Sequence, residues 1–284
     1  MLSETEITTV EIDLLIEGIW RIHGYDFRDY ARASLQRRLS LWLSNSGYAN
    51  FGSALPFLLR DAVLCNTLVQ GVTVNTSEMF RDPLFFKILR EKVLPYLSTF
   101  SHAKIWLAGC AGGEEVYSLA ILLREAGLED RCRIYATDLN QDILKKAKSG
   151  IFPLRNMQQY TRNYQRAGGQ AEFSDYYVAR YDRAIIDSQL TRNVVFAAHN
   201  LATDADFSEM QLILCRNVMI YFKLSLKEKV LNLFDRCLTA GGFLCLGSKE
   251  SLDGRHIAPD YQETEPRSRI YCKKYISPAK RDIS

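Results

Sequence analysis

The sequence predicts an α/β fold: a doubly wound, mostly parallel sheet with a small inserted β subdomain, preceded by a small all-helical N-terminal domain. Three observations predict it. From Lys104 onward, short apolar runs alternate with helix-like segments, the pattern of βαβ units. The first 70 or so residues carry apolar residues only at helical spacing. Between them and the tail, residues 152–190 interrupt the alternation with two short strand-like runs.

The helical part contains runs at 12–20, 30–43, 51–59 and 61–69, and no strand pattern. Leu35, Leu39 and Leu43, spaced four apart, define one face of the second. The boundary falls near Gly71, so residues 1–70 form one domain and 71–275 the other. Strands are expected at 105–108, 132–137, 193–197, 212–215, 243–246 and 270–275, the last antiparallel. Helices are expected at 114–127, 141–149 and 225–238, with Gly127 and Gly150 as C-terminal stops and a Gly241-Gly242 turn after the third. The inserted subdomain reads as a hairpin of 176–179 and 184–186. The polar residues 276–284 read as a frayed tail.

Composition narrows the function classes. An apolar fraction of 47% over 284 residues supports a full core and argues against disorder. A net charge of +3 does not suggest a dedicated nucleic-acid binder, for which a pI above ~9 and a clustered basic face are expected. No apolar run approaches the ~20 residues that span a bilayer, and the acidic start resembles no secretory leader. The seven Cys, without a CxxC pair, read as reduced thiols of a cytoplasmic protein. Four His without ligand spacing argue against a metal site. Nothing demands more than a monomer.

Strand one runs into a glycine turn, GCAGGEEVYS at 109–118. Glycines there let a ligand approach the backbone. The spacing is not that of a dinucleotide fingerprint, and no Lys-Ser/Thr follows to cradle phosphates. Glu114 and Glu115 suit the positive end of a helix dipole and also repel phosphate. Asp138, one βα unit later, stands where an acid accepts hydrogen bonds from ribose hydroxyls; it could instead cap the next helix, a role open to Asn140 as well. A ribosyl ligand without recognised phosphates points to S-adenosylmethionine, whose sulfonium tolerates acidic neighbours.

Four words in one order carry a resemblance. They are NTSEMFR at 75–81, GCAGGEEVYS at 109–118, HNL at 199–201 and CRNVMIYF at 215–222. Read with ATDLN at 136–140, they resemble the CheR-type chemotaxis protein-glutamate O-methyltransferases over residues 69–275. Departures are small: Val116 stands where Pro is usual, Ser77 where Thr is usual, and Met79 where Phe is usual. The resemblance implies a Rossmann-like class I methyltransferase that binds S-adenosylmethionine and gives S-adenosylhomocysteine. It implies cofactor contacts from Asn75, Ser77, Arg81, Glu115, Asp138, Asn200, Leu201, Arg216 and Asn217. It implies catalytic roles for Arg81, Arg216 and Tyr221. The partner it implies is the cytoplasmic coiled-coil region of methyl-accepting chemotaxis receptors. Their glutamate side chains are already ionised near neutral pH, so no general base is needed, and His199 is expected to be structural.

Arg28, Arg32, Arg37 and Arg38 gather in the small domain as a candidate docking surface for an acidic coiled coil. Residues 168–173 lack the spaced glycines with which part of the family grips a receptor tether, so docking independent of a tether is expected. Two rival classes stand beside this one. One is a class I methyltransferase with another substrate, disfavoured for bases because 215–218 contains no Pro-Pro-Tyr word. The other is a non-catalytic module that senses the cofactor, disfavoured by Arg81, Arg216 and Tyr221 together.

Overall fold

The computed structural model describes residues 3–73 and 77–275. The chain divides into two compact units, Met1–Asn75 with Tyr221–Lys229, and Thr76–Ile220 with Val230–Ser284. The tail at 276–284 lies outside the described residues.

The first unit is built on four helices. α1 (Glu4–His23) starts in a capping box between Ser3 and Glu6 and buries Ile12, Leu15, Ile16 and Ile19. α2 (Arg32–Ser46) buries Leu35, Leu39 and Trp42 and stops at Gly47, in the left-handed region at φ 80°. α3 (Phe51–Arg60) is boxed by Asn50 and Ser53, and α4 (Ala62–Val72) is capped by Asp61. The unit also takes in Tyr221–Lys229, which the sequence counts with the sheet domain. Backbone pairing explains the grouping. Ala31 N–H donates to Tyr221 O at 2.7 Å, Lys223 N–H donates to Asp29 O at 2.8 Å, and the Tyr30 and Phe222 rings lie 5.0 Å apart.

The basic residues of this unit are mostly engaged. Arg28 precedes α2 rather than lying on it; it pairs with Asp26 and lies over the Trp20 ring. Arg32 pairs with Asp13. Arg38 donates to Val72 O and lies 4.2 Å from the Tyr221 ring centroid. Arg37 is exposed on α2.

The second unit opens with a continuous helical stretch the sequence does not predict: α5 (Pro83–Ile88), a π turn (Leu89–Val93) and α6 (Leu94–Leu97). Then come β1 (Ala103–Ala108), α7 (Glu114–Glu125), β2 (Cys132–Asp138) and α8 (Gln141–Ser149). The inserted subdomain follows, with β3 (Ile151–Pro153), α9 (Met157–Arg166), β4 (Tyr177–Arg180) and β5 (Arg183–Ile186). The hairpin is present, and β3 adds a third strand in the order β3-β5-β4. The chain returns to the large sheet through β6 (Val194–Ala198) and β7 (Met210–Cys215). It continues into α10 (Leu224–Cys237), β8 (Leu238–Leu246), β9 (Tyr261–Glu263) and β10 (Ile270–Lys273).

The large sheet has the order β6-β2-β1-β7-β8-β10-β9. The pairs β1–β2, β1–β7, β2–β6 and β7–β8 are parallel; β10 is antiparallel to β8 and β9. β1 and β7 are buried along nearly their whole length, as expected for central strands covered on both faces. One expected turn is a strand instead. Gly241 and Gly242 lie inside β8, where the register against β7 shifts, and Gly241 has φ 78°. Glycines within a strand mark such an irregularity as readily as they mark a turn.

Candidate active site

The order reverses at β1, because β2 lies on one side of it and β7 on the other. Ligands of open α/β sheets bind outside the carboxyl ends of strands at such a switch point. Four of the sequence words sit there, after β1, β2, β6 and β7.

Two glycines of the turn after β1 leave no room for a Cβ. A Cβ on Gly109 (φ 80°) would lie 2.5 Å from Val218 Cγ2, and one on Gly113 (φ 92°) would meet the Ala147 backbone at 3.1 Å. Ala111 joins them in the left-handed region at φ 46°. Its N–H donates to Asp138 Oδ2 at 2.9 Å, while Asn140 N–H donates to Oδ1 at 3.0 Å. Burial pushes the Asp138 carboxyl up, and these backbone donors pull it part of the way back. The helix cap falls to Asn140, whose side chain accepts from Asp142 and Ile143 N–H. Asp138 thus holds the glycine turn against β2 and is not the cap.

Arg216 leaves the end of β7 with its side chain only 1% exposed. Nη1 donates to Glu115 Oε2 at 2.8 Å, and Nη2 donates to Asp82 Oδ2 at 2.7 Å. The guanidinium lies 3.9 Å from the Phe85 ring centroid. Burial pushes the Glu115 carboxyl up, with Arg216 the main opposing influence. Breaking a buried pair of this kind costs about 3–5 kcal/mol, because the partner charge is left uncompensated. Arg81 is half-buried and acts electrostatically on Glu115, and its guanidinium makes no hydrogen bond among the described residues. Arg81 stands between Phe80 (φ 52°) and Asp82 (φ 58°), two non-glycine residues in the left-handed region, a conformation that concentrates at functional sites.

Asn217 also has positive φ, at 61°, which Asn tolerates better than most residues. Its N–H donates to Glu250 Oε2 at 2.9 Å, an oxygen shared with Gly247 N–H, while Ile220 N–H donates to Oε1. Asn200 turns inward on its own loop, its Oδ1 accepting from Ala202 N–H. Leu201 is buried, and Ser77 is half-buried. His199 is buried edge-on to Trp106, with neither ring nitrogen hydrogen-bonded among the described residues. Asn75 lies outside the described residues. Tyr221 belongs to the first unit, so the cluster within the second unit is Arg81, Glu115, Asp138, Arg216 and Asn217 with their anchors.

Sequence reasoning missed two of those anchors. Asp82 appears in the sequence only as a neighbour of Arg81, yet it pairs with Arg216. Glu250 holds the 217–220 loop, and its only sequence signal is its place just beyond β8, the next strand in the sheet.

Residues 75–266 match the family model described as CheR methyltransferase, SAM binding domain. The chain belongs to the CheR methyltransferase family. A Pseudomonas putida protein named "Putative methyltransferase Cher3" is 46% identical over 94% of this chain and 97% of its own length. The Listeria innocua protein named chemotaxis protein methyltransferase is 31% identical over 81% of this chain and 85% of its own. A Borreliella burgdorferi protein of the same name is 29% identical, covering 87% of this chain and 90% of its own.

S-adenosylmethionine is the cofactor that membership in the CheR family brings. The residues fit it. A glycine turn with no room for a Cβ at Gly109 or Gly113 lies beside a fixed carboxylate at Asp138, and the acids of the turn favour a cationic ligand over a phosphate. Among the described residues there is no cluster that could hold a metal ion, and no helix is long and apolar enough to cross a membrane.

Proposed function

We propose that this CheR-family methyltransferase esterifies glutamate side chains of methyl-accepting chemotaxis receptors. The observation that carries this reading is the contrast between the two arginines. Arg216 is spent on Glu115 and Asp82, whereas Arg81 keeps a guanidinium without a hydrogen bond among the described residues. A free guanidinium fork suits a carboxylate. The acids of the cluster are engaged: Glu115 and Asp82 by Arg216, and Asp138 by backbone amides. A nucleophile that arrives already ionised needs none of them as a base.

The cofactor supplies an activated methyl on a sulfonium, and its transfer to a carboxylate gives a methyl ester and S-adenosylhomocysteine. The protein's own residues do the rest. Arg81 orients the carboxylate, and Arg216 fixes Glu115 and the Arg81 loop. Asp138 presents its remaining lone pairs to ribose hydroxyls. Asn75, Ser77, Asn200, Leu201 and Asn217 complete the cofactor contacts, and Tyr221 is the third catalytic residue. Orientation of this kind is worth several kcal/mol, up to ~10 in favourable cases.

Relatives named chemotaxis protein methyltransferase support a chemoreceptor partner. The acidic coiled coil of such a receptor suits the helical unit, where Arg37 projects from α2. The loop at 168–173 is already tied down, since Gln170 N–H donates to Glu125 and Ala171 N–H donates to the Tyr164 hydroxyl. Docking independent of a receptor tether follows from that reading, as does a cytoplasmic location.

The test is transfer of radiolabelled methyl groups to membranes rich in chemoreceptors, followed by alkali. Release of volatile methanol is expected, and Arg81→Ala is expected to cut the rate by about 100-fold. Label that resists alkali would overturn the glutamate assignment.

A further inference from the structure

The loop that presents Arg81 is pinned residue by residue. Phe80 N–H donates to Ser118 Oγ at 2.8 Å, and Ser118 Oγ donates to Glu114 O at 2.7 Å, so α7 holds Phe80. Arg216 takes Asp82. Glu78 and Met79 are held from elsewhere. Asn163, on α9 of the inserted subdomain, donates from Nδ2 to Met79 O at 3.0 Å and to Glu78 Oε2 at 3.2 Å. Its Oδ1 accepts from Gln159 Nε2 at 2.9 Å. The side chain is therefore satisfied at both ends while only 4% exposed.

We infer that Asn163 is a positioning residue for methyl transfer, through which the inserted subdomain sets the aim of Arg81. Its amide reaches the loop within two residues of Arg81, before it in the chain, and the Asp82–Arg216 bond follows directly after it. Rings close the space between. Phe80 lies 5.2 Å from Tyr164 and 6.3 Å from Phe173, both of the subdomain. A loop with left-handed residues at Phe80 and Asp82 holds its shape only where its surroundings dictate it. The core supplies the anchors at Phe80 and Asp82, and Asn163 supplies those at Glu78 and Met79. The subdomain thereby takes part in catalysis as well as in any docking.

This inference rests on the role proposed for Arg81, and its test separates the two. In Asn163→Asp, a carboxylate faces Met79 O and the Glu78 carboxylate, so the link becomes a repulsion. Methyl transfer is expected to fall by about 10- to 100-fold, as small misplacements of positioning groups cost. Adding Glu78→Gln returns a donor to that contact, and most of the loss is expected to be recovered at unchanged thermal midpoint. A purely structural role would not give activity that follows the donor–acceptor pairing. Hydrogen exchange at the amides of residues 79–81 supplies a readout independent of substrate. It is expected to speed up about tenfold in Asn163→Asp and to recover in the double variant. Equal exchange in all three proteins would overturn the inference, whatever the substrate. Altered exchange with unaltered transfer would overturn it as well, and would leave the proposed reaction standing.

Discussion

Glu114 opens α7 with its side chain buried, and its Oε2 has no hydrogen-bond partner among the described residues. Burial pushes its carboxyl from the ordinary 4.5 up to about 7, against the pull of its own backbone N–H and of Lys146. The sign follows from linkage. A carboxyl raised in the folded state favours folding below its unfolded value and loses that contribution as pH rises through 7. Glu114→Gln removes the charge and keeps the shape. The variant should match wild type in stability near pH ~4 and exceed it above pH ~8, by roughly 3 kcal/mol at most. Urea denaturation at the two pH values checks this, and a constant difference would contradict it. The two acids of the GEE word look alike in the sequence, but they part in the structure because neighbours on a helix point about 100° apart. Glu115 meets Arg216, while Glu114 folds back over Gly112. No spacing rule assigns Arg216 to Glu115, 101 positions away in the chain.

At the scale of elements, the strands of the large sheet are legible because central parallel strands are unbroken apolar runs. The helices of the βαβ units are legible because glycines stop them. The stretch 83–97 is less so: a Pro at each of its α segments and a π turn between them break the simple period. β9 has three residues, too few for a pattern. Turns are legible as glycine clusters, but not their clearances. The Gly109 position illustrates this. Gly109→Ala would set a Cβ 2.5 Å from Val218 Cγ2 at φ 80°, pressing the β1 turn against the loop that carries Arg216 and Asn217. A loss of about 1–3 kcal/mol in stability is expected, together with cofactor affinity reduced by more than about tenfold. Calorimetric titration with S-adenosylhomocysteine checks the second; unchanged affinity would separate the turn from the cofactor site.

On the scale of the whole molecule, the CRNVMIYF word straddles two units. Arg216 and Asn217 stand in the second, and Tyr221 and Phe222 in the first. The sequence shows the word as one piece, and nothing in its composition marks where its allegiance changes. The change comes from pairing with residues nearly two hundred positions earlier. Asp29 and Ala31 exchange backbone hydrogen bonds with Lys223 and Tyr221, and Lys223 Nζ donates to Arg28 O at 2.7 Å. A chain shortened to begin at residue 77 would lose all of these and the Tyr30–Phe222 ring contact. Each backbone bond is worth about 1 kcal/mol net, so the loss is a sizeable fraction of a domain's stability, yet it is local. The amide of Lys223, which donates to Asp29 O, should then exchange at least about tenfold faster, while those of β1, β2 and β7, paired only within the second unit, keep their protection. Uniform loss of protection across the sheet would mean that the two units fold as one cooperative body. Unchanged exchange at Lys223 would mean that the end of the word needs none of the residues that precede 77.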